Sequence, residues 1–235
     1  MIDPKKLLDG FLGSRVPGTQ SSMGGQADRL TQFAKDNPLA TGAIVAALLG
    51  TGAGRKLTKS ALKMGGMAAI AGLAYKAYQN YQAGKKPGEG VEDVKQGNLL
   101  PPPQETGFNP ARAPQGEDAF ALTLVRAMIA AARADGHIDE TERRKIAERL
   151  KESGIDHEVE SFLMEELERP VDVDALVAAA STDEQKVELY TASRLAIEPQ
   201  TRAERGYLDM LAGRLNLPDA LVDHIEATIA ETVSV

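Results

Sequence analysis

The residues with the most evident chemical use are three acids in one short stretch, Ala134-Asp135-Gly136-His137-Ile138-Asp139-Glu140-Thr141-Glu142. Clustered carboxylates such as Asp135, Asp139 and Glu142 suit hard cations like Ca²⁺ or Mg²⁺, which take oxygen ligands. The ligand spacing of an EF-hand loop is absent. Each acid also has an ordinary use: Asp135-Gly136 reads as the end of one helix, and Asp139-x-x-Glu142 has the capping-box form that opens the next. His137 stands beside the acids as the best of the three histidines for an added ligand, with a solvated loop histidine as the plainer reading. His157 and His224 stand alone on expected helices.

Other chemistries lack their residues. The chain has no cysteine, which excludes disulfides, thiol catalysis and thiolate metal sites. No HExxH or GxSxG string occurs, and no Ser/His/Asp set can be assembled. Gly50-Thr51-Gly52-Ala53-Gly54-Arg55-Lys56 superficially invites a phosphate-loop reading, but its glycine spacing is wrong and no strand precedes it. The expectation is therefore a protein that is not an enzyme, with no small-molecule substrate.

The elements that would position the acids are helices. Aromatics are sparse while Ala, Gly and Leu dominate, which favours helices packed through small side chains. From Glu117 onward, helical apolar spacing is punctuated by regular caps and stops. Phe120, Leu124, Val125, Met128 and Ile129 mark a first helix; Ile146, Ala147 and Leu150 mark a second, closed by Gly154. Asp156 opens a third, stopped by Arg169-Pro170, and Asp172 begins a short fourth. Ser181-x-x-Glu184 and Thr201-x-x-Glu204 have capping-box form before the fifth and sixth. Asn216 ends the sixth, and Pro218 sits in the first turn of the last, which carries Leu221, Ile225 and Ile229. The expected fold class is all-α, with seven helices in the C-terminal half. Within it, the Ala134–Glu142 joint is echoed by Ala196-Ile197-Glu198-Pro199-Gln200-Thr201-Arg202-Ala203-Glu204, which suggests paired helical hairpins that bring two acidic loops together.

The N-terminal half differs in charge. The net charge is −7, yet residues 1–86 hold 12 Lys/Arg against 4 Asp/Glu, and residues 87–235 hold 15 against 30. Such asymmetry points to parts with different partners. Residues 1–36 read as a short amphipathic helix and a flexible linker. Asn37 to Gly54 has no charged residue over 18 positions, just enough for a span, since roughly 20 apolar residues cross a bilayer. Small residues at Gly42, Ala46, Gly50 and Gly54 would let membrane helices approach closely. A second uncharged run, Met64 to Tyr75, is too short to span. The basic Gly/Ala-rich segment 37–83 is thus expected at a membrane, spanning once at 37–54 or lying on the surface, with a soluble helical hairpin as the plainer reading. Tyr75, Tyr78 and Tyr81 beside Lys76, Lys85 and Lys86 suit a headgroup zone; as a nucleic-acid site this single patch is weak. The basic residues following 37–54 place the C-terminal part in the cytoplasm. Residues 84–116 hold six of the twelve prolines and read as a disordered tether.

The phrase Ala131-Ala132-Arg133-Ala134-Asp135-Gly136-His137-Ile138-Asp139-Glu140-Thr141-Glu142 resembles the signature of TerB-like domains, the tellurite-resistance helical fold, over 117–233. With its Leu7-Leu8-Asp9-Gly10-Phe11-Leu12 start and Gly/Ala-rich segment, the whole chain resembles the YebE-type family of bacterial inner-membrane proteins. The resemblance implies divalent-metal binding through acids that map onto Asp135, Asp139, Glu142, Glu198 and Glu204. Glu198-Pro199 replaces the Asp-Gly pair expected in the second half, which breaks the symmetry of such a site. The function expected is a non-enzymatic, membrane-tethered helical interaction module, envelope- or stress-related, that binds another protein. The alternative is a divalent-cation sensor.

Overall fold

The computed structural model describes residues 66–96, 98–134, 144, 157–197 and 199–233. Among these residues it is all-helical, with no strand. The helices are α1 (Gly66–Gln82), α2 (Glu92–Lys95), α3 (Glu117–Ala132), α4 (His157–Glu168), α5 (Val173–Ala179), α6 (Asp183–Ala196), α7 (Arg202–Arg214) and α8 (Asp219–Val233), with a 3₁₀ turn at Pro110–Arg112. The N-terminal amphipathic helix, the 37–54 run and the helix expected from Asp139 to Leu150 lie outside the described residues.

Helix α6 is the hub. It packs along α3 and also touches α1, α7 and α8. Its buried face includes Val187, Leu189, Ala192 and Leu195, while Thr191 and Ser193 bury their hydroxyls by donating to the carbonyls of Val187 and Leu189 one turn back. That pairing removes the cost of placing polar atoms in the core.

The N-terminal boundary departs from expectation. The end of the 37–83 segment expected at a membrane forms α1, and α1 lies inside the helical domain against α8 and α6. Ile70, Leu73, Ala74 and Ala77 are fully buried, and with Met67 and Phe120 they belong to one continuous core. Its tyrosines serve that packing. Tyr75 and Tyr78 hold Phe108 between them at centroid distances of 5.6 and 5.4 Å, and Tyr81 meets the edge of His224 at 6.1 Å. No helix among the described residues is long and apolar enough to cross a membrane.

The 84–116 segment is likewise not a free tether in its described residues. It runs as a strap over α1 and α8, with Val91, Val94, Leu99 and Phe108 buried. Apolar residues spaced between the prolines supply the anchors. Prolines restrict the unfolded chain, so ordering such a segment costs less entropy than its composition suggests. Asn80 ties the strap to α1 through its amide donating to the Gly90 carbonyl at 3.3 Å.

Six of the seven expected C-terminal helices are present. Asp172 caps α5 by accepting from the Ala175 amide, Pro170 follows the end of α4, and Asn216 terminates α7 in a left-handed conformation with φ 55°. The α6 start is shifted by one residue from the expected Ser181/Glu184 box. Thr182 is the cap, accepting from the Gln185 amide, and Gln185 Oε1 accepts from both the backbone and hydroxyl of Ser181. Gln185 also reaches Gln115 at 3.0 Å and so fastens the strap to α6.

Candidate functional site, an arginine-lined cavity

Helix α3 is apolar on most of its surface, but Arg126 within it and Arg133 at its C-cap stand seven residues apart. The last turn of α4 brings Glu166 and Arg169 opposite them, and α5 closes the far side with Ala175, Leu176 and Ala179. Together they line a cavity of about 300 Å³, with Ile129, Ala130 and Val171 supplying further apolar wall.

Its polar geometry centres on Glu166, whose side chain is only 5% exposed. Arg126 donates Nε to Oε2 at 3.0 Å and Nη2 to Oε1 at 2.9 Å, the two-point match that guanidinium and carboxylate favour. Arg169 donates Nη1 to the same Oε1 at 2.9 Å. Arg133 donates Nη1 to the Arg169 carbonyl, and its Nε is buried without a partner. Asp172 lies in the wall but spends Oδ1 on the α5 cap. Thr123 also lines the wall, and its hydroxyl donates back to the Ala119 carbonyl. The cavity is therefore lined by three guanidiniums and two carboxylates, with Arg126 and Arg169 sharing Glu166.

Of the acids expected at a metal site, Glu204 alone lies among the described residues. Asp135, Asp139, Glu142 and Glu198 lie outside the described residues, as does His137. Glu204 is 9% exposed and closes the α7 capping box: its Oε2 accepts from the Gln200 and Thr201 amides at 2.9 and 2.8 Å and from the Thr201 hydroxyl at 3.0 Å. Among the described residues no group of three or more His, Asp or Glu is arranged to hold a metal ion. His224, read from sequence as solitary, is buried against Tyr81. The arginine cluster was not anticipated. Its one sequence signal is the pair of arginines seven apart on an otherwise apolar helix.

Two further polar features lie on the helices that frame the domain. Glu226 on α8 accepts from the Tyr190 hydroxyl at 3.1 Å and from Arg194 Nε at 2.7 Å, tying α8 to α6. Burial, then the Glu226 charge, raises the Tyr190 phenol far above its ordinary range. Glu188 on α6 is buried, and burial first, then the Glu184 charge, raises its carboxyl well above the usual carboxylate value.

The described architecture is that of an all-helical domain. The chain belongs to the family described as "Protein of unknown function (DUF533)", a TerB-like family whose model matches residues 34–229. It is also similar to the "Uncharacterized protein in ampR 5'region" of Yersinia enterocolitica, 33% identical over 108 residues that make up 46% of this chain and 78% of that protein. No solved structure matches the chain.

Proposed function

We propose that this chain is a non-enzymatic interaction module of the YebE type, which docks another protein at the Arg126/Arg133/Arg169 cavity. The observation that carries the reading is the lining itself. It offers directional, positively charged donors beside apolar wall, and its buried carboxylate, Glu166, is already held by two arginines. Such a surface favours recognition, because its donors are fixed before a partner arrives. The uncharged 37–54 run and the basic residues after it support a tether to the bacterial inner membrane with the helical domain on the cytoplasmic side.

Photocrosslinking in cells tests the docking reading. A benzoylphenylalanine placed at Val171, 40% exposed on the cavity rim, is compared with one at Leu100, 74% exposed on the strap. Discrete adducts from position 171 that are absent from position 100 are expected. The same adducts from both positions, or none from 171, reject it. For the tether, the chain should stay in the membrane pellet at high salt and alkaline carbonate, and recovery in the supernatant rejects a span.

A further inference from the structure

We infer that the arginine-lined cavity receives the C-terminal carboxylate of a partner polypeptide whose last residue is aliphatic; this rests on the interaction reading above and names the partner's chemistry.

The first argument is the state of the three guanidiniums. Arg126 and Arg169 are both committed to Glu166. Arg133 bonds the neutral Arg169 carbonyl and pairs with neither Glu166 nor Asp172, the carboxylates that line the same cavity, and its Nε–H is buried with no acceptor. A guanidinium carries five donors in a planar fork that a carboxylate matches two at a time. A buried donor without an acceptor is costly, so an arriving carboxylate gains by satisfying it. Arg133 is thus the receiving group, and the Arg126–Glu166–Arg169 cluster holds the wall around it.

The second argument is the mixture of surfaces. Ile129, Ala130, Ala175 and Leu176 line the same small space as the arginines. A ligand that uses both must carry its carboxylate and an apolar group on neighbouring atoms. An acidic side chain does not, because its carboxylate ends an unbranched stem. A C-terminal leucine or valine does, because the carboxylate and the branched side chain share one Cα. At about 300 Å³ the cavity has the size of the smallest ligand pockets, enough for one such residue. The half-open rim at Val171 is where the preceding peptide would leave.

The test uses the full chain and fluorescence anisotropy. The probe is a fluorescein-labelled pentapeptide of four alanines and a terminal leucine, made as the free acid and as the amide. Saturable binding of the acid is expected, with the amide weaker by about tenfold or more, since one charge-assisted pair is lost. Unlabelled acid peptide should displace the probe, whereas inorganic phosphate and hexanoate at the same concentration should not. Arg133→Gln should weaken the acid peptide by about tenfold, and Arg133→Lys, which keeps the charge but not the fork, should also lose affinity. Lys186→Gln, at a residue on α6 paired with Asp183, should leave binding unchanged. The acid–amide comparison needs no variant, so misfolding of a mutant cannot mask the answer. Equal affinity for acid and amide, no binding of the acid, or displacement by phosphate or hexanoate as effective as by the peptide overturns the inference. Crosslinks from position 171 without an acid preference would remove this inference alone and leave the docking reading standing.

Discussion

Arg126 and Glu166, 40 residues apart in sequence, meet in a two-point pair at 3.0 and 2.9 Å that joins α3 to the end of α4. Because Arg169 shares the same carboxylate, Glu166 keeps one partner if either arginine is removed. Arg126→Ala and Arg169→Ala should each cost about 1 kcal/mol, modest because both arginines are partly exposed. The double variant leaves a buried carboxylate unpaired. It should cost more than the sum of the singles by about 1 kcal/mol, and adding Glu166→Gln should recover part of that loss. Urea unfolding of the four proteins checks this, and strict additivity would refute the shared-carboxylate account.

Phe108 tests whether the strap belongs to the fold. It is 2% exposed between Tyr75 and Tyr78. Phe108→Ala should destabilise the domain by about 3–5 kcal/mol, the cost of vacating a buried aromatic site. An unchanged thermal midpoint would mean that the strap detaches freely.

Two glycines should respond oppositely to the same substitution. A Cβ on Gly72 of α1 would lie 2.7 Å from the Leu100 carbonyl oxygen, a backbone atom that cannot swing aside. A Cβ on Gly206 of α7 would meet nothing within 4 Å. Gly206→Ala should therefore raise stability by about 0.5–1 kcal/mol through helix propensity. Gly72→Ala should lower it by about 1–3 kcal/mol despite the same propensity gain. Calorimetry of both variants decides the matter.

The buried acids set the pH response. Glu188 has a folded-state value raised above its unfolded value of 4.5. Its contribution to stability is fully present below about 4.5 and is lost as pH rises through the raised folded value. At neutral pH, then, Glu188 weakens the fold relative to a neutral isostere. Glu188→Gln should raise the thermal midpoint at pH 7, and the gain should fade towards pH 4. On the alkaline side, burial pushes the Tyr207 phenol up to about 12 from 10.0. Its contribution is intact below about 10 and lost between 10 and 12, so Tyr207→Phe should flatten the alkaline fall in thermal midpoint.

The capping role of Glu204 is separable from metal binding. Glu204→Ala should cost about 1 kcal/mol through loss of the capping box at Thr201, equally in chelator and in millimolar Ca²⁺ or Mg²⁺. A loss seen only with the cation present would assign the carboxylate to a metal instead.

Much of the helical framework was legible because its signals are local. Asp172, Thr201 with Glu204, Pro170 and Asn216 each act within one turn, through hydrogen bonds or backbone conformations that depend on near neighbours alone. The Thr182 cap shows the limit of such reading. Ser181 and Thr182 both can cap, and the choice went to the residue whose partner Gln185 also reaches Gln115 on the strap, 70 residues away in sequence.

What the sequence determined alone is the all-helical class, several helix ends such as those at Asp172, Thr201 and Asn216, and the absence of cysteine chemistry, since these follow from composition and short-range geometry. What only the tertiary structure decided is which surfaces meet. The Gly66–Tyr75 stretch of α1 is apolar enough to suit either a membrane surface or a core helix, because lipid and protein interior reward the same residues. The partner surface of α8 and α6 makes α1 a core helix. Likewise, Arg126, Arg133, Glu166 and Arg169 carry no short motif, and their shared cavity exists only because α3 and α4 pack side by side. Hydrophobic burial is not directional, so sequence identifies what can be buried while the fold chooses against what.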